Sequence, residues 1–186
     1  FIPKKAVTQS PAITKELLVS NPYAIVIDDD RECTARDIPI IRVKNTRRAI
    51  SVAFYKYYNI DQKKLRFIGV SGTNGKSTTA FLIYSILKST GKKVGLISTG
   101  QIRIDDEVIS DTYYSMTTPD PSVLNESISK MERAKCQFIV IEVSSHALAL
   151  EKLFPINFEC SVFTNLSYEH MDFHKSMDEY LNTKLK

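Results

Sequence analysis

Gly72-Thr73-Asn74-Gly75-Lys76-Ser77-Thr78 is the stretch that decides the fold of this chain. It follows an apolar run at residues 67–70 and opens a helical pattern over residues 76–89. A strand, a glycine-rich turn and a helix that begins with Lys-Ser bind phosphate, because backbone N–H groups point inward and the helix adds its positive end. Lys76 then reaches the outer phosphates, and Ser77 is placed to ligate Mg²⁺. The stretch therefore predicts a site for ATP and Mg²⁺ at this turn.

The spacing of this loop departs from the general phosphate-loop pattern, G-x-x-x-x-G-K-[ST]. Val70 occupies the first position, and Gly69 comes one residue too early. The alternative interpretation is a glycine turn before an ordinary helix. Gly-Lys-Ser-Thr at the start of a strongly predicted helix favours phosphate binding over that alternative.

Apolar runs and helical patterns alternate along the rest of the chain, which indicates a parallel sheet covered on both faces. The predicted fold class is α/β, with a small N-terminal α/β domain and a phosphate-loop ATPase domain built on a mostly parallel sheet. Strands are predicted at residues 23–27, 38–43, 67–70, 94–97, 138–141 and 161–163, with a hairpin over 102–109. Helices are predicted at residues 11–19, 46–58, 76–89, 121–135 (capped by Asp120) and after the capping box at 176–179.

A polar stretch at residues 59–64 is the predicted domain boundary. It divides the chain into an incomplete first domain at residues 1–62 and an incomplete second domain at residues 63–186. Both ends of the sequence resemble interrupted elements, a strand at the start and an uncapped helix at the end. We therefore expect a truncated fold whose last helix frays.

Charge and cysteine content narrow the class of partner. The net charge is +4 at pH 7 and the pI is near 8.9, with the basic residues spread as isolated pairs. A nucleic-acid binder usually concentrates its basic residues on one face, so we expect no nucleic-acid partner. Membrane insertion is not expected either, because no apolar stretch approaches the roughly 20 residues that span a bilayer. Three separated cysteines favour free thiols in a reducing compartment, and we expect a cytoplasmic monomer with Cys136 and Cys160 in its core.

Four segments together resemble the Mur ligases and their folylpolyglutamate synthetase relatives. They are the glycine-rich loop, Thr117-Thr118-Pro119, Glu142-Val143-Ser144-Ser145-His146-Ala147-Leu148 and Phe163-Thr164-Asn165-Leu166-Ser167-Tyr168-Glu169-His170-Met171-Asp172-Phe173-His174. Their order is most like that of the family branch that adds the third amino acid to the peptidoglycan precursor. The resemblance is specific from residue 65 onward. It implies three domains, of which this chain would carry most of the first two and none of the third.

The resemblance implies an ATP-dependent amide ligase. ATP would phosphorylate a carboxylate of UDP-N-acetylmuramoyl-dipeptide, and a free amino acid would attack the acyl phosphate. Lys76 and Mg²⁺ would neutralise the moving phosphate. Glu142, at the predicted end of a strand, would hold the first Mg²⁺ with Ser77, and His170 would hold a second. Lys184 would be carbamylated, which turns a cation into a carboxylate-like support for the second metal.

Other interpretations of these residues stay open on the sequence. Mg²⁺ prefers oxygen ligands, so His170 and His174, four residues apart, could equally indicate zinc, and His170 could be an ordinary loop histidine. Glu142 could be a strand-end carboxylate facing solvent. Lys184 could lie unmodified on a solvated helix face, and we expect it to be unmodified or disordered in this chain.

The resemblance also assigns contacts with the muramoyl-peptide substrate to Thr117, Thr118, Ser144 and Lys152. Lys152 stands where arginine is usual in the family, and Leu150 stands where a polar residue is common. A lysine keeps a charge contact but loses the bidentate grip of arginine.

Three rival functions are a folylpolyglutamate-type synthetase, a noncatalytic nucleotide-binding module and a basic nucleic-acid binder. The α/β unit before the loop argues against the first, and the set of Glu142, His170 and Lys184 favours catalysis over binding alone. In the family the third domain selects the incoming amino acid. The sequence therefore leaves that amino acid open, and we expect this chain alone to be inactive.

Overall fold

The computed structural model describes residues 22–29, 38–110 and 116–186, and the helix predicted at residues 11–19 lies outside them. The described strands are β1 (Ile25–Asp28), β2 (Ile40–Val43), β3 (Arg66–Ser71), β4 (Val94–Ser98), β5 (Gln101–Ile104), β6 (Glu107–Ser110), β7 (Phe138–Glu142) and β8 (Phe158–Phe163). The described helices are α1 (Thr46–Tyr57), α2 (Lys76–Ser89), α3 (Pro121–Arg133), α4 (Ser145–Ala149) and α5 (Met177–Lys184), with a short 3-10 helix at Gln62–Lys64.

A six-stranded sheet in the order β6-β5-β4-β7-β3-β8 forms the body of the protein. The strands β4, β7, β3 and β8 are parallel, and β5 and β6 form the predicted antiparallel hairpin at one edge. The prediction of a mostly parallel α/β sheet is therefore confirmed. In the register of β3 with β7, Val70 lies opposite Glu142. The carboxyl ends of the parallel strands thus meet at one edge of the sheet, where ligands of open α/β sheets bind.

The helix α2 covers one face of this sheet. It begins at Lys76 and ends at Ser89, as the sequence predicts. Ala80 and Tyr84 pack against the strands beneath, and Gly91, with a φ of 77°, terminates the helix through its N–H bond to a carbonyl of the last turn. No helix within the described residues is both long and apolar enough to cross a membrane.

The helix α1 connects the two-stranded parallel sheet of β1 and β2 to this body. The side chain of Asn45 caps its first turn, and the N–H of Thr46 donates to Asp28 of β1 at 2.9 Å. On the other side, Tyr55 belongs to the core beneath the six-stranded sheet. Because α1 contacts both units, the boundary placed after residue 62 stays a prediction.

Two local predictions are wrong. Cys136 is buried as expected, but Cys160 is exposed because β8 is an edge strand with most of its side chains accessible. The last helix, α5, does not fray. Leu185 donates its N–H to Leu181 at 3.1 Å, and Lys184 is 8% exposed.

Candidate functional site

Two glycines turn the chain between β3 and α2. Gly72 has a φ of 141° and Gly75 has a φ of 79°. Residues other than glycine rarely adopt a backbone conformation with such positive φ values. A Cβ on Gly72 would lie 1.9 Å from Thr164 Oγ1, whereas a Cβ on Gly75 would meet nothing within 4 Å. Both glycines are therefore needed for their conformation, and Gly72 is also needed because the segment after β8 passes directly against it.

Asn165 holds the middle of the loop, a role that the sequence analysis missed. Its Oδ1 accepts the Asn74 N–H at 3.0 Å, and its Nδ2 donates to the Asn74 carbonyl at 2.9 Å. Its own carbonyl accepts the Thr73 N–H at 2.9 Å, and Thr164 Oγ1 donates to the Asn74 carbonyl at 2.7 Å. The N–H groups of Thr73 and Asn74 are thus engaged within the protein. The N–H groups of residues 75–78, at the start of the helix, have no partner within the helix and remain as donors for an anion.

Lys76 opens α2 and folds back over the loop. Its Nζ donates to the Thr73 carbonyl at 2.7 Å. The first N–H groups of any α-helix lack partners within the helix, and the helix dipole places partial positive charge there. The ammonium group and the helix end together make this the electropositive part of the loop, which suits an anion.

The carboxylate of Glu142, at the end of β7, lies against the start of α2. Ser77 Oγ donates to its two oxygens at 3.0 and 3.1 Å. From the end of β4, Ser98 Oγ donates to Oε2 at 2.6 Å, and the N–H and hydroxyl of Thr99 donate at 2.9 and 3.1 Å. Glu142 is only 2% exposed. These donors fix the carboxylate beside the loop, so it is not the solvent-facing carboxylate of the alternative interpretation.

A carboxylate and a hydroxyl side by side fit Mg²⁺, because this ion binds oxygen and usually combines one or two protein ligands with water and phosphate. Ser77 and Glu142 supply this pair. Among the described residues, no three His, Cys, Asp or Glu side chains form a group that could hold a metal by themselves. The donor set therefore suits a Mg²⁺ ion that shares its ligands with a nucleotide, and it does not suit a zinc site.

All three histidines of the chain lie in one aromatic cluster. The ring centroid of His146 lies 5.0 Å from that of His170 and 6.1 Å from that of His174, with Phe173 at 4.0 Å. Burial lowers the pKa of His146 and of His174, and the neighbouring His170 lowers both further. His170 is more accessible, with Nε2 3.6 Å from Glu169 Oε2. The structure therefore groups His170 with the other histidines, and its role as a metal ligand stays a prediction.

Lys184 reaches the loop from the inner face of α5. Its Nζ donates to the Gly72 carbonyl at 2.7 Å and lies 4.6 Å from the ring centre of Tyr180. Burial, and then the nearby charge of Lys76, lower the pKa of Lys184 to about 8. Carbamylation needs the neutral amine, and this environment favours it. An unmodified Lys184 in this chain and a carbamylated Lys184 in the intact enzyme both stay predictions.

Two of the residues assigned to the substrate lie at the same edge of the sheet as Glu142. Thr118 Oγ1 donates to the Glu142 carbonyl at 2.9 Å and accepts the Ser144 N–H at 3.0 Å. Ser144 also caps α4, where its Oγ accepts the Ala147 N–H at 3.2 Å. Thr117 is half-buried next to Thr118. Contact of these residues with a substrate stays a prediction.

Lys152, the fourth residue of that group, forms an ion pair that the sequence analysis missed. Its Nζ lies 2.7 Å from Asp120 Oδ1, and it also donates to Met116 Sδ at 3.5 Å. Asp120 therefore does not cap α3 with its side chain as predicted, because its carboxylate is turned to the lysine. The lysine side chain is only 12% exposed, so Asp120 holds it in place.

The sequence pattern of the Mur ligase middle domain matches residues 70–186, which is more than half of the chain. The chain belongs to the Mur ligase family. The matched region contains the whole glycine-rich loop at residues 72–78, as well as Glu142, His170 and Lys184. The resemblance noted on the four sequence segments is thereby confirmed.

Curated relatives place the chain within this Mur ligase family. The UDP-N-acetylmuramoyl-L-alanyl-D-glutamate–2,6-diaminopimelate ligase of Clostridium tetani is 42% identical over 156 residues, which is 84% of this chain and 32% of that enzyme. The enzyme of the same name from Caldanaerobacter subterraneus subsp. tengcongensis is 37% identical over 186 residues, covering 100% of this chain and 38% of the relative. The chain thus spans about a third of the length of these enzymes.

Solved structures show the same fold. A UDP-N-acetylmuramoyl-L-alanyl-D-glutamate–2,6-diaminopimelate ligase superimposes with a TM-score of 0.71 at 24% identity, over 87% of this chain and 31% of that chain. A folylpolyglutamate synthase of Mycobacterium tuberculosis, complexed with ADP and AMPPCP, gives a TM-score of 0.61 at 18% identity over 74% and 37%. At these identities the likeness shows the fold alone, so the folate enzyme carries no argument for a folate substrate.

Proposed function

We propose that this chain is the ATP-binding part of a ligase that joins 2,6-diaminopimelate to UDP-N-acetylmuramoyl-L-alanyl-D-glutamate. The names of its relatives supply these two substrates. The observation that carries the proposal is the contact of Ser77 Oγ with the Glu142 carboxylate, 3.0 Å away, at the helix start that also bears Lys76. A lysine, a hydroxyl and a carboxylate around a glycine-rich turn are the groups that bind Mg²⁺ and nucleotide phosphates.

The nucleotide phosphates would lie over the start of α2. The N–H groups of residues 75–78 and the ammonium of Lys76 supply the donors. Lys76 bonds the Thr73 carbonyl at 2.7 Å, and exchanging that neutral partner for a phosphate oxygen gives a stronger, charge-assisted bond. This exchange favours phosphate binding.

Ser77 and Glu142 would hold the Mg²⁺ of the nucleotide. A Mg²⁺ bound there would neutralise negative charge on the phosphates. A second Mg²⁺ at His170, supported by a carbamate on Lys184, rests on the family resemblance. A carbamate on Lys184 would leave one N–H on Nζ, so the present bond of this nitrogen to the Gly72 carbonyl is compatible with the modification.

The proposed reaction has two steps. A substrate carboxylate oxygen attacks the γ-phosphorus of ATP, so that ADP leaves and an acyl phosphate forms. The amine of the amino acid then attacks the acyl carbon, phosphate leaves, and the amine loses a proton as the amide forms. Lys76 stabilises the charge on the phosphoryl group in transit. The muramoyl peptide would be held by Thr117, Thr118, Ser144 and Lys152. The bond of Thr118 to the Glu142 carbonyl supports a position of this peptide beside the nucleotide.

Calorimetric titration of the chain with ATP and Mg²⁺ tests the proposal. Lys76→Ala should weaken ATP binding by roughly 2–3 kcal/mol, the scale of a charge-assisted contact. Lys130→Ala is the matched control, because Lys130 is half exposed on α3 and pairs with Glu126. Unchanged affinity in Lys76→Ala would overturn the proposal. Equal binding of ATP and of a polyanion such as heparin would instead indicate a basic charge-driven binder.

A further inference from the structure

The helix α5 turns two large side chains inward, one helical turn apart. Tyr180 is 0% exposed and Lys184 is 8% exposed, and residues four apart lie on one face of a helix. This face meets the glycine-rich loop, since Tyr180 contacts Thr73 and Lys184 contacts Gly72. The helix thus touches two successive residues of the loop from beneath.

The hydroxyl of Tyr180 is bonded to the side chain of Thr73, with 3.2 Å between the two oxygens. Thr73 Oγ1 also accepts the Ser167 N–H at 3.0 Å. A buried hydroxyl without a partner costs free energy, so both hydroxyls hold each other in place. The Thr73 side chain is thereby anchored to α5 and to the segment after β8.

The anchored residue is also the one that Lys76 bonds. Lys76 Nζ lies 2.7 Å from the Thr73 carbonyl, so a displacement of Thr73 displaces the position from which Lys76 acts. The ring of Tyr180 adds a second contact, because Lys184 Nζ lies 4.6 Å from its centre and donates to Gly72. Tyr180 therefore contacts Lys184 directly and is connected to Lys76 through Thr73.

We propose that Tyr180 is a positioning residue, which fixes the phosphate-binding loop through Thr73 so that Lys76 and the helix N–H groups are set for the nucleotide. This inference rests on the proposed function. Tyr180 does not touch the phosphates itself, because its hydroxyl is buried against Thr73. Its effect is on the conformation of the loop, and that effect is measurable without a nucleotide.

Tyr180→Phe removes the hydroxyl and leaves the ring, and Tyr84→Phe is the matched control. Tyr84 is also buried and donates its hydroxyl to the Asp105 carbonyl, away from the loop. We expect Tyr180→Phe to raise the Kd for ATP·Mg²⁺ roughly 3- to 10-fold, the value of one neutral hydrogen bond. Amide hydrogen exchange in residues 72–76 should become faster in this variant. In Tyr84→Phe, both quantities should remain those of the wild type.

A double-mutant cycle with Thr73→Val separates positioning from general stability. If Tyr180 acts through Thr73, the loss of ATP affinity in the double variant should equal that of the larger single variant. Additive losses, or slow loop exchange retained in Tyr180→Phe, would overturn the inference. Should Tyr180→Phe fail to fold, Thr73→Val breaks the same bond from the loop side and is judged by the same exchange measurement. Absence of ATP binding in the wild type overturns the proposed function instead, while the exchange measurement still decides whether Tyr180 holds the loop.

Discussion

Replacing Gly72 with alanine tests how closely the phosphate-binding loop is packed against the segment after β8. The new Cβ would lie 1.9 Å from Thr164 Oγ1 and 3.1 Å from the backbone nitrogen of Asn165. Atoms cannot approach that closely, so Thr164 must move. Its hydroxyl then loses bonds to the carbonyls of Ser71 at 3.3 Å and Asn74 at 2.7 Å. The substitution therefore disturbs both sides of the loop.

Two costs contribute to the expected loss of stability in Gly72→Ala. A non-glycine residue at a φ of 141° is strained by about 1–3 kcal/mol, and overpacking costs about 1–3 kcal/mol more. We expect a total of about 2–6 kcal/mol, measured by urea unfolding followed by circular dichroism. Gly91→Ala is the matched control, because Gly91 also has a positive φ, 77°, but open space around it. It should cost only the strain of the left-handed conformation, about 1–2 kcal/mol.

Equal losses in Gly72→Ala and Gly91→Ala would mean that the close approach of Thr164 contributes nothing. A second check is Thr164→Ala in the Gly72→Ala background, since removing the overlapping oxygen should recover part of the loss. Failure of this recovery would place the cost in the backbone conformation alone.

Two further predictions concern buried ionisable groups. Burial lowers the pKa of Lys184 to about 8 from 10.5, so between pH 8 and 10.5 the folded protein binds fewer protons than the unfolded chain. The cost of burying the ammonium is thus fully present below pH 8 and disappears as the pH rises through that window. Over the same window, the free energy of unfolding of the wild type should increase by about 3 kcal/mol relative to that of Lys184→Met. Parallel pH profiles of the two proteins in urea unfolding would contradict this. Burial also raises the pKa of the Cys136 thiol to about 11. At pH 8, iodoacetamide should therefore label the exposed Cys160 much faster than Cys136. Equal labelling rates in peptide mapping would show that Cys136 is accessible.

The sequence by itself determined the fold class and the position of the phosphate-binding turn. The pattern runs from an apolar strand through Gly72 and Gly75 into a helix at Lys76. It predicts the turn because the conformations of these consecutive residues depend mainly on their immediate neighbours in the sequence. The start of α2 at Lys76 and the hairpin of β5 and β6 are found as predicted. The family also followed from the order of short segments, because each carries its chemistry within a few consecutive residues.

Only the tertiary structure decided which distant residues complete the site. Asn165 lies 91 residues from Asn74 yet satisfies both of its backbone polar groups, and Tyr180 lies 107 residues from Thr73. No spacing rule connects such pairs, since they meet only because β8 and α5 pack beside the carboxyl end of β3. The same holds for Cys160 and Asp120. Whether an apolar strand is covered, or a carboxylate caps a helix or pairs with a lysine, depends on which elements become neighbours, and periodicity along the chain does not contain that information.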